Sequence, residues 1–153
     1  MVTSLIFALL SLPALVSSDN SNLIDFINQQ YTGLQSIRVN GTLRCGSVPA
    51  ANVLVKLVDV DFAFDPDDEM DACYTDENGK FEVSGSSQEV TTIDPHLKIY
   101  HDCNDAVNPC QRRWKFELPN KYITSGRFPK KTLDIGVWNL EAKMPDEEHD
   151  CLH

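Results

Sequence analysis

The chain has 153 residues, a formal net charge of −10 and five cysteines. A charge of that sign excludes nucleic acid as a partner, and it excludes attachment to anionic membranes by net charge alone. Beyond the N-terminal stretch, no apolar run is long enough to offer a membrane span.

Leu5 to Val16 is an uncharged apolar run followed by Ser17 and Ser18. It is too short to cross a bilayer, and Val16 and Ser18 suit the −3 and −1 places of a signal-peptidase site. Residues 1–18 therefore read as a secretory signal peptide cleaved before Asp19. The remaining chain, about 135 residues, suits one domain that buries about two-thirds of its unfolded surface. In an oxidising compartment five cysteines predict disulfides and one thiol left over. Any of the five could be the odd one, and each choice leaves three pairings.

Residues 19–37 read as a polar N-terminal extension. Leu23, Ile24, Ile27 and Tyr31 fall there at helical spacing, with Ser21 or Asn22 as cap and Gly33 as the end. A helix that short needs packing on the domain to persist. From 38 to 45, Val39, Gly41, Leu43 and Cys45 alternate with Arg38, Asn40, Thr42 and Arg44, which predicts a half-buried strand. The sequon Asn40-Gly41-Thr42 makes Asn40 a candidate glycosylation site. After a turn at 46–51, residues 52–61 alternate with both faces largely apolar, as a central strand does. The acidic stretch from Asp61 to Asp71 reads as a connection. Asn78-Gly79, set between the alternating residues of 74–83, predicts a hairpin turn, and Gly85, Ser86 and Ser87 predict a loop.

The stretch 97–118 carries the strongest pattern. Leu97, Ile99 and His101 oppose Lys98, Tyr100 and Asp102, then Trp114, Phe116 and Leu118 oppose Lys115 and Glu117. Two strands follow, joined by a polar loop with Cys103 and Cys110 at its neck. A Cys103–Cys110 disulfide closing that loop is the expectation, worth about 2–3 kcal/mol in the chain-entropy model. Tyr122-Ile123 is short and apolar, and Ser125-Gly126 and Pro129 mark a loop. Residues 133–142 form the last strand, with Leu133, Ile135 and Val137 on one side and Trp138 and Leu140 on the other. Short strands, no long helix and no strand–helix alternation predict an all-β sandwich of seven to eight strands over residues 38–153.

Four features stand in order: Cys45-Gly-Ser-Val-Pro-Ala-Ala-Asn-Val-Leu-Val55, Thr75-Asp-Glu-Asn-Gly-Lys-Phe81, Ile93-Asp-Pro-His-Leu-Lys-Ile-Tyr-His-Asp-Cys103 with Cys110, and Asp150-Cys-Leu-His153. Together they resemble the nematode transthyretin-like family of secreted proteins, from about Val39 to the C-terminus. The resemblance implies a prealbumin-like sandwich with Cys45, Cys103, Cys110 and Cys151 in its frame. With Cys103 joined to Cys110, Cys45 is left for Cys151, which fastens the tail beside the first strand. Cys73 lies outside the family pattern and is the unpaired thiol.

The sandwich shared with 5-hydroxyisourate hydrolase raises the question of catalysis. That family ends in a Tyr-Arg-Gly-Ser-like tail and draws histidine and arginine from its first strands. Here the tail is Asp150-Cys-Leu-His153, and no histidine precedes His96. A Cys103–His101 pair would need a free thiolate, and no Gly-x-Ser-x-Gly or His-Glu-x-x-His occurs. No catalytic residue, metal site or cofactor is expected. His149 and His153 beside Cys151 read as a solvated tail rather than a zinc site. The acids between Asp59 and Asp71 lack the spacing of an EF-hand.

Charge is segregated along the chain. Arg112, Arg113, Lys115, Lys121, Arg127, Lys130 and Lys131 face only Glu117 over 112–131, whereas 57–77 holds nine acids and no base. Arg112, Arg113, Lys130 and Lys131, if gathered at one end, form a candidate site for phosphate or carboxylate groups. The expectation is a secreted, non-enzymatic binding protein. The family resemblance implies recognition of a phospholipid headgroup or a cell-surface receptor, since one role in the family is bridging phosphatidylserine on dying cells to an engulfment receptor. Carriage of a small hydrophobic ligand is the alternative, and hydroxyisourate-type hydrolysis stands as an outsider. The pattern leaves the oligomeric state open.

Overall fold

The computed structural model describes residues 23–24, 33–60 and 66–153. The expected signal peptide and most of the extension lie outside the described residues, as do Asp61 and Asp65 of the acidic stretch. Within the extension, Leu23 and Ile24 are helical and exposed.

Among the described residues ten strands follow in order: β1 (Leu34–Cys45), β2 (Val48–Pro49), β3 (Leu54–Asp59), β4 (Asp68–Tyr74), β5 (Lys80–Gln88), β6 (Pro95–His101), β7 (Gln111–Glu117), β8 (Thr124–Ser125), β9 (Leu133–Asn139) and β10 (Glu148–Asp150). Three of them, β2, β8 and β10, are only two or three residues long, so seven substantial strands carry the fold. One sheet is built on β1, which pairs antiparallel with β2, β5 and β8 and parallel with β9. The other is antiparallel throughout, in the order β10-β7-β6-β3-β4. This is the expected all-β sandwich of prealbumin type.

The core follows from period-two alternation on the inner faces. Ile37, Val39, Leu43, Phe81 and Val83 of the first sheet meet Val55, Leu57, Leu97, Ile99 and Trp114 of the second. Gly41 occupies an inward position where a Cβ would lie 2.5 Å from Ile135 Cγ1 and 3.0 Å from Phe81 Cε1, so only glycine lets those side chains close over β1.

Several local expectations need correction. Strand β1 starts at Leu34, so the last four residues assigned to the extension belong to the sandwich, paired with β5 and β8. The end of the acidic connection, from Asp68, is strand β4 paired with β3. Gly85, Ser86 and Ser87 form no loop: they continue β5 against Ile37, Ser36 and Gln35. The Asn78-Gly79 turn forms, with Gly79 at φ +76° and its N–H donated to Asp76. Its two arms diverge, however, since β4 and β5 belong to different sheets. In β9 a bulge at Gly136, φ +73°, inverts the alternation. Leu133, Ile135, Trp138 and Leu140 all pack on the core, leaving Val137 exposed.

The cysteines pair differently from expectation. Cys45 bonds Cys103 and Cys110 bonds Cys151, while Cys73 is free. Cys45 continues the inward alternation of β1, and Cys103 follows β6 at the same end of the sandwich. Their Cα atoms are 5.7 Å apart, so the bond crosses between sheets. Cys110 is left to the tail. Direction of the side chain, rather than nearness in sequence, decides the partner.

Candidate functional site

Strand alternation separates the four cations expected to act together. Arg112 and Arg113 are consecutive in β7, so they point to opposite faces. Lys130 and Lys131 are exposed between β8 and β9, strands of the other sheet, and Lys131 Nζ donates to the carbonyl of Lys121 at 2.7 Å. No common site forms from Arg112, Arg113, Lys130 and Lys131.

Arg112 points inward and is 4% exposed. Its Nη1 donates to the carbonyls of Cys103 and Leu140, and its Nη2 to that of Ala142. Nε and Nη2 each reach a Glu147 oxygen at 2.6 Å. All five guanidinium N–H groups are thereby used, and none is left for an external anion. Trp114 Nε1 donates to the same carboxylate at 2.8 Å. The hydrogen bonds from Arg112 outweigh burial and hold the Glu147 carboxyl at about 2. The cluster fastens the tail to the sandwich and is structural. Arg113, on the outer face, is held by Glu148 and Asp150 of β10.

His101 lies beside this cluster, 2% exposed, edge-on to Trp114 at 5.3 Å between ring centroids. Its Nδ1 accepts the backbone N–H of Cys103, which puts the neutral ring's proton on Nε2. Burial, reinforced by the Arg112 charge, pushes its pKa down to about 4. Cys103, the thiol that a Cys–His pair would need, is in a disulfide. His149 pairs with Asp105 at 2.9 Å and His153 lies against Tyr100 at 4.8 Å, so the tail histidines diverge. Among the described residues no three histidine, cysteine or acidic side chains are grouped to hold a metal ion.

Among the described residues, two of the concavities are open to solvent. One, of about 480 Å³, lies on the outer face of the β1 sheet, with Asn40, Thr42, Lys80, Glu82 and Asp134 around it. Asn40 sits there in mid-strand, opposite Glu82 on β5 and Asp134 on β9. The other, of about 260 Å³, adjoins the Cys45–Cys103 bond beside Asn52, His101 and Gln111.

The outer face of the second sheet holds a feature that linear sequence does not reveal. Lys56 of β3 lies directly opposite Lys98 of β6, and Lys98 directly opposite Lys115 of β7. Three ammonium groups thus form a row across three adjacent strands. Like charges in opposed positions destabilise a sheet unless countered. Glu69 pairs with Lys56 at 2.6 Å. A single oxygen, Asp67 Oδ2, lies 2.6 Å from Lys98 Nζ and 3.2 Å from Lys115 Nζ. Burial would raise the Asp67 carboxyl, but hydrogen bonds and charge from the two lysines outweigh it and hold it below the usual range. The only hint in the sequence is that each lysine occupies an outward position of its strand; the register that aligns them is tertiary.

Residues 40–119 match the sequence profile of the Transthyretin-like family. The chain belongs to that family. Transthyretin-like protein 5 of Caenorhabditis elegans is 49% identical over 119 residues, 78% of this chain and 86% of that one. Transthyretin-like protein 46 of the same nematode is 52% identical, covering 77% of this chain and 66% of its own length. Transthyretin-like protein 33 is 46% identical over 127 residues, 83% of this chain and 89% of its own. A solved 9R-lipoxygenase from Cyanothece aligns with 81% of this transthyretin-like chain and 21% of its own at TM-score 0.38 and 18% identity, a likeness that carries no argument.

Proposed function

We propose that this transthyretin-like chain is a secreted, non-enzymatic binding protein that recognises anionic phospholipid headgroups through the outer face of its second sheet. The lysine row Lys56–Lys98–Lys115 carries the reading, because it places three cations in register on the broad outer face of a sheet. The three side chains are 20%, 15% and 30% exposed and paired with Glu69 or Asp67, so a headgroup reaches them by exchange with a carboxylate. Lys can serve as a point-charge phosphate binder. Secretion is supported by the apolar segment from Leu5 to Val16 and by two disulfides. The absence of catalysis is supported by the disulfide at Cys103 and by the buried neutral ring of His101, which leave that pair without a nucleophile.

Vesicle co-sedimentation at physiological salt tests the reading. Phosphatidylcholine vesicles that contain phosphatidylserine should retain the protein, and vesicles of phosphatidylcholine alone should not, since the trimethylammonium group shields its phosphate. The double variant K98Q/K115Q should lose the preference. Equal retention on both vesicles would reject headgroup recognition. Saturable binding to protease-sensitive sites on cells, unaffected by K98Q/K115Q, would favour a protein receptor instead.

A further inference from the structure

We propose that the Asp67 carboxylate is the internal occupant of an oxyanion site on the lysine row, and that a ligand phosphate binds by displacing it. The inference rests on the headgroup reading and specifies how that face is gated.

The row needs counter-charge that its own strands do not supply. Position by position, Lys56 faces Lys98 and Ala72, and Lys98 faces Lys115. The compensating carboxylates come from Glu69 on the edge strand and from Asp67 just ahead of it. Those two acids are unequal partners. Glu69 belongs to β4, serves Lys56 alone and is half exposed. Asp67 is wedged between two ammonium groups and is 20% exposed.

The match at Asp67 is incomplete. One oxygen is shared by two ammonium groups, and among the described residues two carboxylates pair with the three lysines. A phosphate ester offers separate oxygens on one tetrahedral centre, so Lys98 and Lys115 can each take their own, at charge-assisted hydrogen-bond distance. The exchange needs no rearrangement of the sheet. Asp67 precedes the first paired residue of β4, Asp68 opposite Asp59, so its side chain can swing out with every ladder bond kept. The neighbouring cation, Arg113, stays engaged with Glu148 and Asp150, which confines the exchange to the Lys98–Lys115 gap.

An internal competitor lowers apparent affinity by the fraction of time it occupies the site. Asp67 therefore makes the face indifferent to single carboxylates and chloride and responsive to phosphate-bearing surfaces.

The test uses the full secreted chain as wild type, D67N, D67S and K98Q/K115Q, each checked for an unchanged circular dichroism spectrum. Binding is measured to phosphatidylcholine vesicles containing phosphatidylserine, and in parallel to inorganic pyrophosphate by calorimetry. D67N and D67S should bind the vesicles about tenfold more tightly than wild type, by relief of self-occupancy. K98Q/K115Q should bind neither probe. If both Asp67 variants bind no more tightly than wild type while K98Q/K115Q is weakened, the competitor role falls and headgroup recognition stands. A gain confined to pyrophosphate supports the competitor role with a soluble phosphate ligand and overturns the membrane reading. No binding of either probe by any variant overturns both.

Discussion

Arg112 and Glu147 meet side by side, Nε to Oε1 and Nη2 to Oε2, both at 2.6 Å and largely out of water. Removing one member leaves the other charge buried without its counter-charge, which costs more than the pair contributes when intact. R112A and E147A should therefore each lose about 3–5 kcal/mol in urea unfolding. R112K should recover little, because an ammonium cannot span both carboxylate oxygens and three carbonyls. Limited proteolysis should cut the variants first in the tail beyond Ala142.

His101 predicts a pH dependence with a definite sign. Its folded pKa of about 4 lies below the ordinary 6.5, so the unfolded chain binds the extra proton between those values. Stability should be full above about pH 7 and fall as pH drops from 6.5 to 4, by about 3 kcal/mol in all. H101Q should flatten that limb. A second loss should follow between about 4.5 and 2 as Glu147 takes a proton, and E147Q should remove it. Urea midpoints measured from pH 8 to pH 2 check both limbs.

Peptide mass spectrometry without reduction should find Cys45 joined to Cys103, Cys110 joined to Cys151, and Cys73 as the free thiol. The sequence separations of 58 and 41 give about 4 kcal/mol for each bond in the chain-entropy model. C45S/C103S should lower the melting temperature of the whole sandwich, because that bond ties one sheet to the other. C110S/C151S should mainly release the tail, raising amide exchange at Glu148 to Asp150.

Gly41→Ala tests the close approach across β1. The added methyl meets Ile135 Cγ1 at 2.5 Å and Phe81 Cε1 at 3.0 Å, so one of those side chains must shift. Destabilisation of about 1–3 kcal/mol is expected from overpacking, read as a shift in urea midpoint. I135A in the same chain removes the Cγ1 contact and should recover part of the overpacking cost.

Much of the fold was legible because alternation is a local signal. The pairing of β6 with β7 and the position of the Asn78-Gly79 turn could both be read directly. Features that depend on register or direction could not. Arg112 and Arg113 look like one basic patch in the sequence, yet the pleat sends one into the core and the other outward. Lys56, Lys98 and Lys115 look unrelated until three strands align them. Strict alternation groups Val137 with Ile135, because a bulge at Gly136 is invisible to it. Nearness along the chain favours Cys103–Cys110, and the family frame then leaves Cys45 for Cys151, whereas the pairing turns on which face each cysteine leaves.

The two disulfides follow one another along the chain, with neither loop enclosing the other. In an oxidising compartment, a chain emerging from its N-terminus can close Cys45 to Cys103 before Cys110 has appeared, and Cys110 then meets Cys151 last. Order of synthesis and order of pairing coincide, so the bonds can form without a placeholder that must later be undone. Cys73 is the exception, since it emerges between Cys45 and its partner. Half-buried on the edge strand of the second sheet, this thiol is the one competitor that Cys45 meets before Cys103 emerges.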